Sequence, residues 1–570
     1  MKYIVSYSNS NNHFIDIQLE VEVNGNKKLN FQLPAWRPGR YELGNFAKNI
    51  QKLDAVNENG ESLSTIKKTK DLWVVKCAGS SKVLLRYNYF ANELNAGSTY
   101  LDAKQLYMNP VNCLMYELDR VAEICELHLE LAADYKVAIA LPEAVKNVFT
   151  AKNFDELVDS PFITSPKIQH HSFKLAGTMF HLWFQGEFKP DWTLLEKDFI
   201  GFTKPQIEVF GDFPTEEYHY LFQILPYSAY HGVEHAASTV IAIGPSYNIL
   251  KKEGRYEDLL GVSSHELFHT WNVKRIRPIE MVPYDFTKEN YSKLGYLSEG
   301  ATTWYGDLML YRGKVFDDAA FFRTFNQILE RHYNNPGSSN MSVADSSYDT
   351  WLDGYVIGVP NRKASIYTEG ALNTFMLDVE IRKGSNGKNS FDGVLRSFYD
   401  NYFKGGKGIS EPDYKAEVEK FAGKDLSTFF SKYINGADDY TAQLESALEF
   451  FGLEMKRLPS PIFYEAYLGV KMLDNKVMMV FPNSPAEQSG VSVNDEIVII
   501  NGLKINNDLS AWLEYFKGAP ISMGAFDQEG SAKRILVNLT DDFYFSKYEV
   551  SWKADLSAVQ EANRKAWRGF

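Results

Sequence analysis

Cysteine is scarce in this sequence, and the few cysteines present are not arranged to act together. Cys77, Cys113 and Cys125 are an odd number, and no pair has C-x-x-C spacing. Because disulfide frameworks need paired cysteines and thiolate zinc sites need closely spaced ones, neither is expected. This cysteine usage fits a reducing cytoplasm best.

Long apolar runs and a recognisable leader are also missing. The first residues, MKYIVSYSNSNN, contain one lysine and no extended hydrophobic stretch, unlike a secretory signal. No apolar segment approaches the ~20 residues needed to cross a bilayer. We therefore expect a cytoplasmic protein without a transmembrane segment, or a periplasmic one if a signal peptide has been removed.

Positive charge is in deficit. The chain has 60 Lys and Arg against 73 Asp and Glu, a net charge of −13. A nucleic-acid-binding protein needs a basic face to neutralise phosphates, so that class is excluded. At 570 residues the chain is too long for a single hydrophobic core, which predicts several domains.

The sequence does contain an H-E-x-x-H motif at His265, Glu266 and His269. Histidines four positions apart lie on one face of a helix, so both imidazoles can reach one metal ion. The adjacent glutamate then points at the open coordination position, where it can take a proton from water. This pattern predicts a zinc peptidase with Glu266 as the general base.

The third ligand determines the class of metal site. The metzincin extension requires glycine at 272 and histidine at 275, but the chain has Asn272 and Arg275. Glu299 follows in a second helical stretch and would complete a two-His, one-Glu set that leaves a position for water. Glu280 and Glu289 are alternatives in loop-like stretches. We expect one zinc ion per chain, although manganese or cobalt could use the same ligands.

Several polar residues near the motif admit two interpretations. Thr303 and Asp307 could hydrogen-bond a ligand imidazole or could lie on a helix surface. Lys274, Arg275 and Arg277 could bind a substrate carboxylate or could form a charged helix end, and the second interpretation is favoured.

The hydrophobic pattern changes along the chain. Alternating apolar and polar residues, as in IDIQLEVEV at 15–23, predict strands to about residue 245. Long amphipathic runs then predict helices, at 256–272, 294–311, 319–333 and 370–382.

These segments predict a multidomain α+β protein. We expect a β-sandwich-like domain (1–170), a thermolysin-like peptidase domain with a mainly helical second half (171–455), a module of short strands (460–545) and a tail (546–570).

Several strings resemble the bacterial glycyl aminopeptidase family, which are gluzincin zinc peptidases with a PDZ domain. The strings are LPAWRPGRY at 33–41, HELFHTWNVKRIRP at 265–278, SEG at 298–300 and YTEG at 367–370. They span nearly the whole chain in the family's order. The resemblance implies a zinc aminopeptidase that favours small N-terminal residues such as glycine or alanine.

The resemblance also implies two substrate-facing side chains. Tyr367 corresponds to the tyrosine that donates to the oxyanion formed when water attacks the peptide carbonyl. Glu234 corresponds to the carboxylate that binds the substrate's α-ammonium group, and Gly232 belongs to the same substrate-binding strand. The chain departs from the family at Glu369, which replaces a lysine, and at His231, which replaces a glycine.

The C-terminal module is similar to bacterial PDZ domains, in SPAEQSGV at 484–491 and NDEIVIING at 494–502. The resemblance implies a carboxylate-binding loop, which would consist of Tyr467, Leu468, Gly469 and Val470. Backbone N–H groups of such a loop receive the C-terminal carboxylate of a peptide partner.

Two alternatives to the aminopeptidase are open at this point. A zinc endopeptidase with the same chemistry would have Glu234 merely lining the cleft. A PDZ-based binding or scaffold protein would have an idle peptidase domain. The expected partners are peptides with a free N-terminus and a C-terminal peptide at the PDZ domain.

Overall fold

The computed structural model describes residues 1–251, 254–356 and 358–569, and its N-terminal region is β-rich, as predicted. A seven-stranded sheet has the spatial order Glu143–Val145, Val148–Ala151, Cys125–Leu129, Lys2–Ser6, Phe14–Glu22, Lys82–Phe90 and Ile50–Asn57. Every second residue of Phe14–Glu22 is buried, as the alternating sequence requires of a strand with one face in the core.

Two four-stranded sheets complete this region. One has the order Tyr116–Glu117, Lys28–Gln32, Leu72–Lys76 and Thr65–Lys67, and the other has Lys136–Ala138, Phe162–Ser165, Leu106–Met108 and Tyr100–Leu101. Short helical turns connect the strands, at Ser10–Asn12, Phe46–Asn49, Pro110–Cys113, Leu118–Arg120 and Phe154–Val158. The core of the N-terminal region also includes Met281, Tyr284, Phe286 and Ile366 from later in the chain. The N-terminal region is therefore packed firmly against the middle of the molecule.

The middle region begins with a five-stranded sheet. Its order is Gln169–Leu175, Thr178–Gln185, Glu217–Ile224, Ser238–Gly244 and Ala229–Glu234, and the three central strands are parallel. The segment from 171 to 245 does not consist of strands alone, because the 19-residue helix Trp192–Phe210 connects the first parallel pair. Asp191 caps the start of this helix and Gly211, at φ +88°, ends it. A parallel connection needs such a crossover, which the strand expectation overlooked.

The remainder of the middle region is helical, as predicted. The main helices are Tyr256–Phe268, Tyr296–Ala301 continued by Thr302–Arg312, Asp318–Tyr333, Thr368–Gly384, Phe391–Ser397 continued by Phe398–Phe403, Glu411–Ala422 and Thr441–Phe451. Shorter turns are Ser246–Asn248, Ile279–Met281, Pro336–Ser339, Val343–Tyr348, Thr350–Asp353, Ser427–Phe429 and Phe430–Ile434. One large hydrophobic core joins these helices to the five-stranded sheet.

The C-terminal region has a sheet and a hydrophobic core of its own. The sheet order is Val470–Leu473, Lys476–Val480, Glu496–Ile500, Ile521–Phe526 and Ala532–Val537, with Leu503–Lys504 beside the central strand. Its helices are Tyr464–Leu468, Pro485–Gln488 and Leu509–Tyr515.

The last residues return to the middle region. Strand Ser546–Trp552 pairs with Leu453–Pro459, and the final helix Ala558–Arg568 buries Trp567 in the core of the helical part. No helix in the described ranges combines the length and apolar character that crossing a bilayer requires.

Candidate active site

The H-E-x-x-H motif lies at the end of helix Tyr256–Phe268, and its two imidazoles face each other. The Nε2 atoms of His265 and His269 are 3.1 Å apart. Glu299, in Tyr296–Ala301, places Oε2 3.4 Å from His269 Nε2 and 3.9 Å from His265 Nε2. Ligands about 2.1 Å from a tetrahedral zinc ion are about 3.4 Å from one another. The three donor atoms therefore have the spacing of a metal site.

The His269 ring is held in the orientation that a metal ligand needs. Its Nδ1 lies 2.7 Å from the backbone oxygen of Asn272, so the Nδ1 proton is donated there and Nε2 is left with a lone pair. Thr302 lies 3.4 Å from the same Nδ1. Thr303, considered for this role from sequence, instead donates to the backbone oxygen of Glu299.

Glu266 is buried beside this cluster, 5% exposed. Its Oε2 has no hydrogen-bond partner among the described residues, and burial raises the pKa of its carboxyl to about 8. A Cβ atom at Gly232 would lie 2.1 Å from Glu266 Oε1. Glycine at this position therefore lets the neighbouring strand pass directly over the carboxylate.

Glu234 ends strand Ala229–Glu234 and is also 5% exposed. Its Oε1 has no hydrogen-bond partner within the ranges described. One oxygen of Glu234, one of Glu266 and a nitrogen of His269 all lie within 4.8 Å of one another. The structure thus brings Glu234 to the metal-ligating cluster, although it lies 31 positions before His265, the first residue of the motif.

A loop of the N-terminal region forms another wall of the site, and sequence reasoning assigned it no chemical role. The Tyr41 hydroxyl donates to Glu299 Oε1 at 3.1 Å. Gly39 packs so closely on Glu234 that a Cβ there would lie 2.3 Å from its Oε1. The Trp36 indole donates to the backbone oxygen of Asp285 at 2.6 Å, which fixes the loop to the middle region.

Tyr367 lies at the start of helix Thr368–Gly384 and lines the same cavity, whose volume is about 430 Å³. Burial, followed by the charge of Glu299, raises the pKa of its hydroxyl well above the usual range, so the phenol stays protonated and can donate. Glu369 is directed elsewhere, because it pairs with His332 Nδ1 at 3.0 Å. Its replacement of a lysine therefore does not place a carboxylate beside the phenol.

Two family models match the chain. The model of the peptidase M61 N-terminal domain matches residues 2–166, and the model of M61 glycyl aminopeptidase matches residues 258–373. The chain belongs to the M61 glycyl aminopeptidase family. It is therefore a peptidase, and the second match includes the whole H-E-x-x-H motif, Glu299 and Tyr367.

A solved structure shares the fold of this M61 chain. An aminopeptidase N family protein from Idiomarina loihiensis aligns over 99% of both chains with a TM-score of 0.90 and 24% identity. An M1 zinc metallopeptidase from Deinococcus radiodurans aligns over 77% of this chain and 94% of its own, with a TM-score of 0.48 and 13% identity. A search of curated proteins gives no match.

The basic residues after the motif form internal ion pairs and hydrogen bonds in the M61 chain. Lys274 Nζ lies 2.7 Å from Asp159 Oδ1, and the same carboxylate accepts from the backbone N–H of Ala236. His235 Nδ1 is 3.0 Å from this carboxylate, so His235 is part of a buried network rather than a metal ligand. The network ties the N-terminal region to the strand that carries Glu234.

The two arginines after the motif are likewise engaged within the M61 chain. Arg275 donates to the backbone oxygens of Thr270 and Ala236, at 2.6 and 2.9 Å. Arg277 donates to the backbone oxygen of Lys274 and lies 3.8 Å from Asp155. Structural roles therefore account for both guanidinium groups.

The four residues of the predicted carboxylate loop lie in the C-terminal core region of the M61 chain, apart from the metal-ligating cluster. Tyr467 and Leu468 belong to the turn Tyr464–Leu468, and Val470 begins edge strand Val470–Leu473. Gly469, at φ +80°, donates its N–H to the backbone oxygen of Tyr464. One backbone donor of this loop is therefore already used internally.

Proposed function

We propose that this protein is a zinc-dependent aminopeptidase, with zinc bound by His265, His269 and Glu299. The observation that carries the proposal is Glu234, a buried carboxylate with a free oxygen beside the metal-ligating cluster. An α-ammonium group is the partner that such a carboxylate needs, and a peptide bound through it presents its first peptide bond to the metal.

The chain's own residues supply the proton transfers and the positioning. Glu266 takes a proton from the attacking water and passes it to the leaving amine, and burial, which raises the pKa of its carboxyl, makes it a stronger base. Tyr367 donates to the developing oxyanion, and Glu234 holds the substrate N-terminus. Bound zinc supplies Lewis-acid polarisation of the water and the carbonyl.

The substrate class is a set of peptides with a free N-terminus and a small first residue, glycine or alanine. Two observations support this preference. One is the family's name, and the other is Gly39, whose backbone lies directly against the Glu234 carboxylate. Manganese or cobalt would fit the same nitrogen and oxygen donors, so the metal is part of the proposal.

The domain boundaries proposed are 1–170, 171–455, 460–545 and 546–570, with residues 460–545 forming a PDZ domain. Edge strand Val470–Leu473 supports the PDZ assignment, because an added peptide strand needs an unpaired sheet edge. A C-terminal peptide would be its ligand.

Cleavage of three matched substrates tests the peptidase proposal. Glycyl-p-nitroanilide, its N-acetylated counterpart and a blocked internal peptide are compared with zinc-loaded protein. Only the free-amine substrate should be cleaved, and Glu266→Gln should lower kcat by at least ~100-fold while the zinc content stays equal to that of the wild type. Cleavage of the blocked peptide would favour the endopeptidase, and zinc binding without any cleavage would favour a narrower substrate specificity or the scaffold.

Glu234→Gln tests the amine-binding role separately. Loss of a charge-assisted hydrogen bond should reduce kcat/KM for glycyl-p-nitroanilide by about 10- to 100-fold. The preference for the free amine over the acetylated substrate should shrink with it. An unchanged preference would refute the role of Glu234 and leave the zinc chemistry intact.

A further inference from the structure

A second group of metal-ligand side chains lies on the five-stranded sheet, outside the peptidase cavity. His181 and His219 are paired neighbours on the parallel strands Thr178–Gln185 and Glu217–Ile224. Glu217 lies two residues before His219, so its side chain is on the same face of the sheet. None of the three lines the cavity that contains Glu266.

The donor atoms of this cluster converge. Glu217 Oε2 lies 3.3 Å from His219 Nε2 and 3.8 Å from His181 Nε2, and all three donors lie within 4.8 Å of one another. His181 Nε2 is buried and makes no hydrogen bond with any described residue. A buried imidazole nitrogen without a hydrogen bond is costly, and a bound ion would satisfy it.

The surrounding rings determine which nitrogens can bind. His181 Nδ1 is 2.9 Å from His170 Nε2, and donation from His181 would leave its Nε2 with a lone pair. The Trp183 indole, which can only donate, lies 3.2 Å from His219 Nδ1. That bond favours a proton on His219 Nε2, so Trp183 competes with a ligand at this nitrogen.

We propose that His181, His219 and Glu217 bind a second divalent transition-metal ion. Two imidazoles and one carboxylate are a ligand set suited to zinc, copper or nickel and unsuited to calcium or magnesium. The ion joins two neighbouring parallel strands that helix Trp192–Phe210 separates in sequence. The ion stabilises this sheet and takes no part in peptide hydrolysis.

Metal stoichiometry tests the proposal. Chelator-treated full-length protein is dialysed against buffered free Zn²⁺, and bound zinc is measured by mass spectrometry. Wild type should bind two ions per chain, and His181→Gln should bind one with peptidase kcat unchanged. Glu217→Gln, at a side chain that is 61% exposed, should fold normally and should weaken binding of the second ion by at least tenfold. Trp183→Phe should strengthen it, because the competing indole donor is gone.

His128→Gln is the matched control. His128 Nε2 pairs with Glu126 at 3.0 Å on another sheet, and this pair belongs to none of the three-residue ligand groups. It should leave both ions bound, whereas His269→Gln should remove only the peptidase ion. A wild-type protein with a single ion, lost in His269→Gln and retained in His181→Gln, would overturn the second site without affecting the proposed function.

Discussion

Tyr41 is the residue through which the N-terminal region reaches the proposed metal ligands. Its hydroxyl donates to Glu299 Oε1, and its ring packs edge-on against Trp351, with centroids 5.9 Å apart. A ligand carboxylate with one oxygen held in this way has its other oxygen directed at the imidazoles. Tyr41 is therefore a positioning residue for Glu299.

Tyr41→Phe tests this role. The ring packing stays and the hydrogen bond to Glu299 is lost, so we expect zinc affinity to fall by about 10- to 100-fold. Zinc affinity is measured by competition with a chromogenic chelator. Tyr3→Phe is the matched control, because Tyr3 is a buried tyrosine of the same region that donates to the backbone oxygen of Met115. Equal zinc affinities in the two variants would contradict the positioning role.

Sequence spacing predicts the position of some site residues but not of others. His265 and His269 are four positions apart, so helical geometry alone predicts that they face one ion. Tyr41 and Glu299 are 258 positions apart, and only the packing of two regions brings them together. The string at 33–41 marks the loop as part of the family pattern, but no local periodicity indicates which side chain enters the site.

At the scale of the element, the end of strand Ala229–Glu234 is held in place by hydrogen bonds from His235 and Ala236 to the buried carboxylate of Asp159. Lys274 and His235 lower the pKa of Asp159 far below its usual range, against the effect of burial. Burial lowers the pKa of His235. The strand that presents Glu234 is thus anchored by groups that respond to acid.

We predict that the free energy of unfolding falls as the pH falls. Both folded-state pKa values are depressed, so the unfolded chain binds more protons at acidic pH and the native state loses stability there. The loss begins below about pH 6.5 for His235 and below about pH 4 for Asp159. Urea unfolding measured from pH 7 to pH 4 checks the trend, and a flat profile would contradict it.

Asp159→Asn should cost about 3–5 kcal/mol at pH 7, because it leaves the Lys274 ammonium buried without its counter-charge. Its stability should also depend less on pH below about 4. Asp155→Asn is the matched control, in the short helix Phe154–Val158 that Asp159 follows directly. Its partner Arg277 is 3.8 Å away and its side chain is 44% exposed, so the cost should stay below about 1 kcal/mol.

Helix Trp192–Phe210 is the element that sequence patterning missed. It contains many aromatic and β-branched residues, which favour strands locally, and Pro205 lies inside it. The cap at Asp191 and the glycine at 211 were the available signals. Packing of its apolar face against the sheet outweighs these local preferences, which is a tertiary effect.

At the scale of the whole molecule, the last helix packs against the helical part of the middle region. Trp567 is fully buried and stacks on Phe451 with ring centroids 4.7 Å apart. Tyr548, Val550 and Trp567, within the segment expected from sequence to form a tail, therefore lie in the core of the helical region. A single tryptophan in a polar segment does not predict which core it joins.

Trp567→Ala should destabilise the protein by about 3–5 kcal/mol, the cost of a large cavity in a packed core. The urea midpoint for loss of peptidase activity should fall together with the midpoint for loss of helix signal. Val559→Ala, on the same helix and 68% exposed, should change stability by less than about 0.5 kcal/mol. A shift in the C-terminal sheet alone would show that the helix does not support the peptidase region.

Under the proposed function, the contact between Gly39 and Glu234 affects how far a substrate peptide can enter the site. Because a Cβ at Gly39 would lie 2.3 Å from Glu234 Oε1, the loop lies directly against the carboxylate that would hold the amine. Gly39 and Glu234 line one cavity together with Gly232, Asp307 and Arg331. A peptide whose amine pairs with Glu234 would meet the backbone of this loop at the carboxylate, so steric contact as well as charge would set which peptide bond is cleaved.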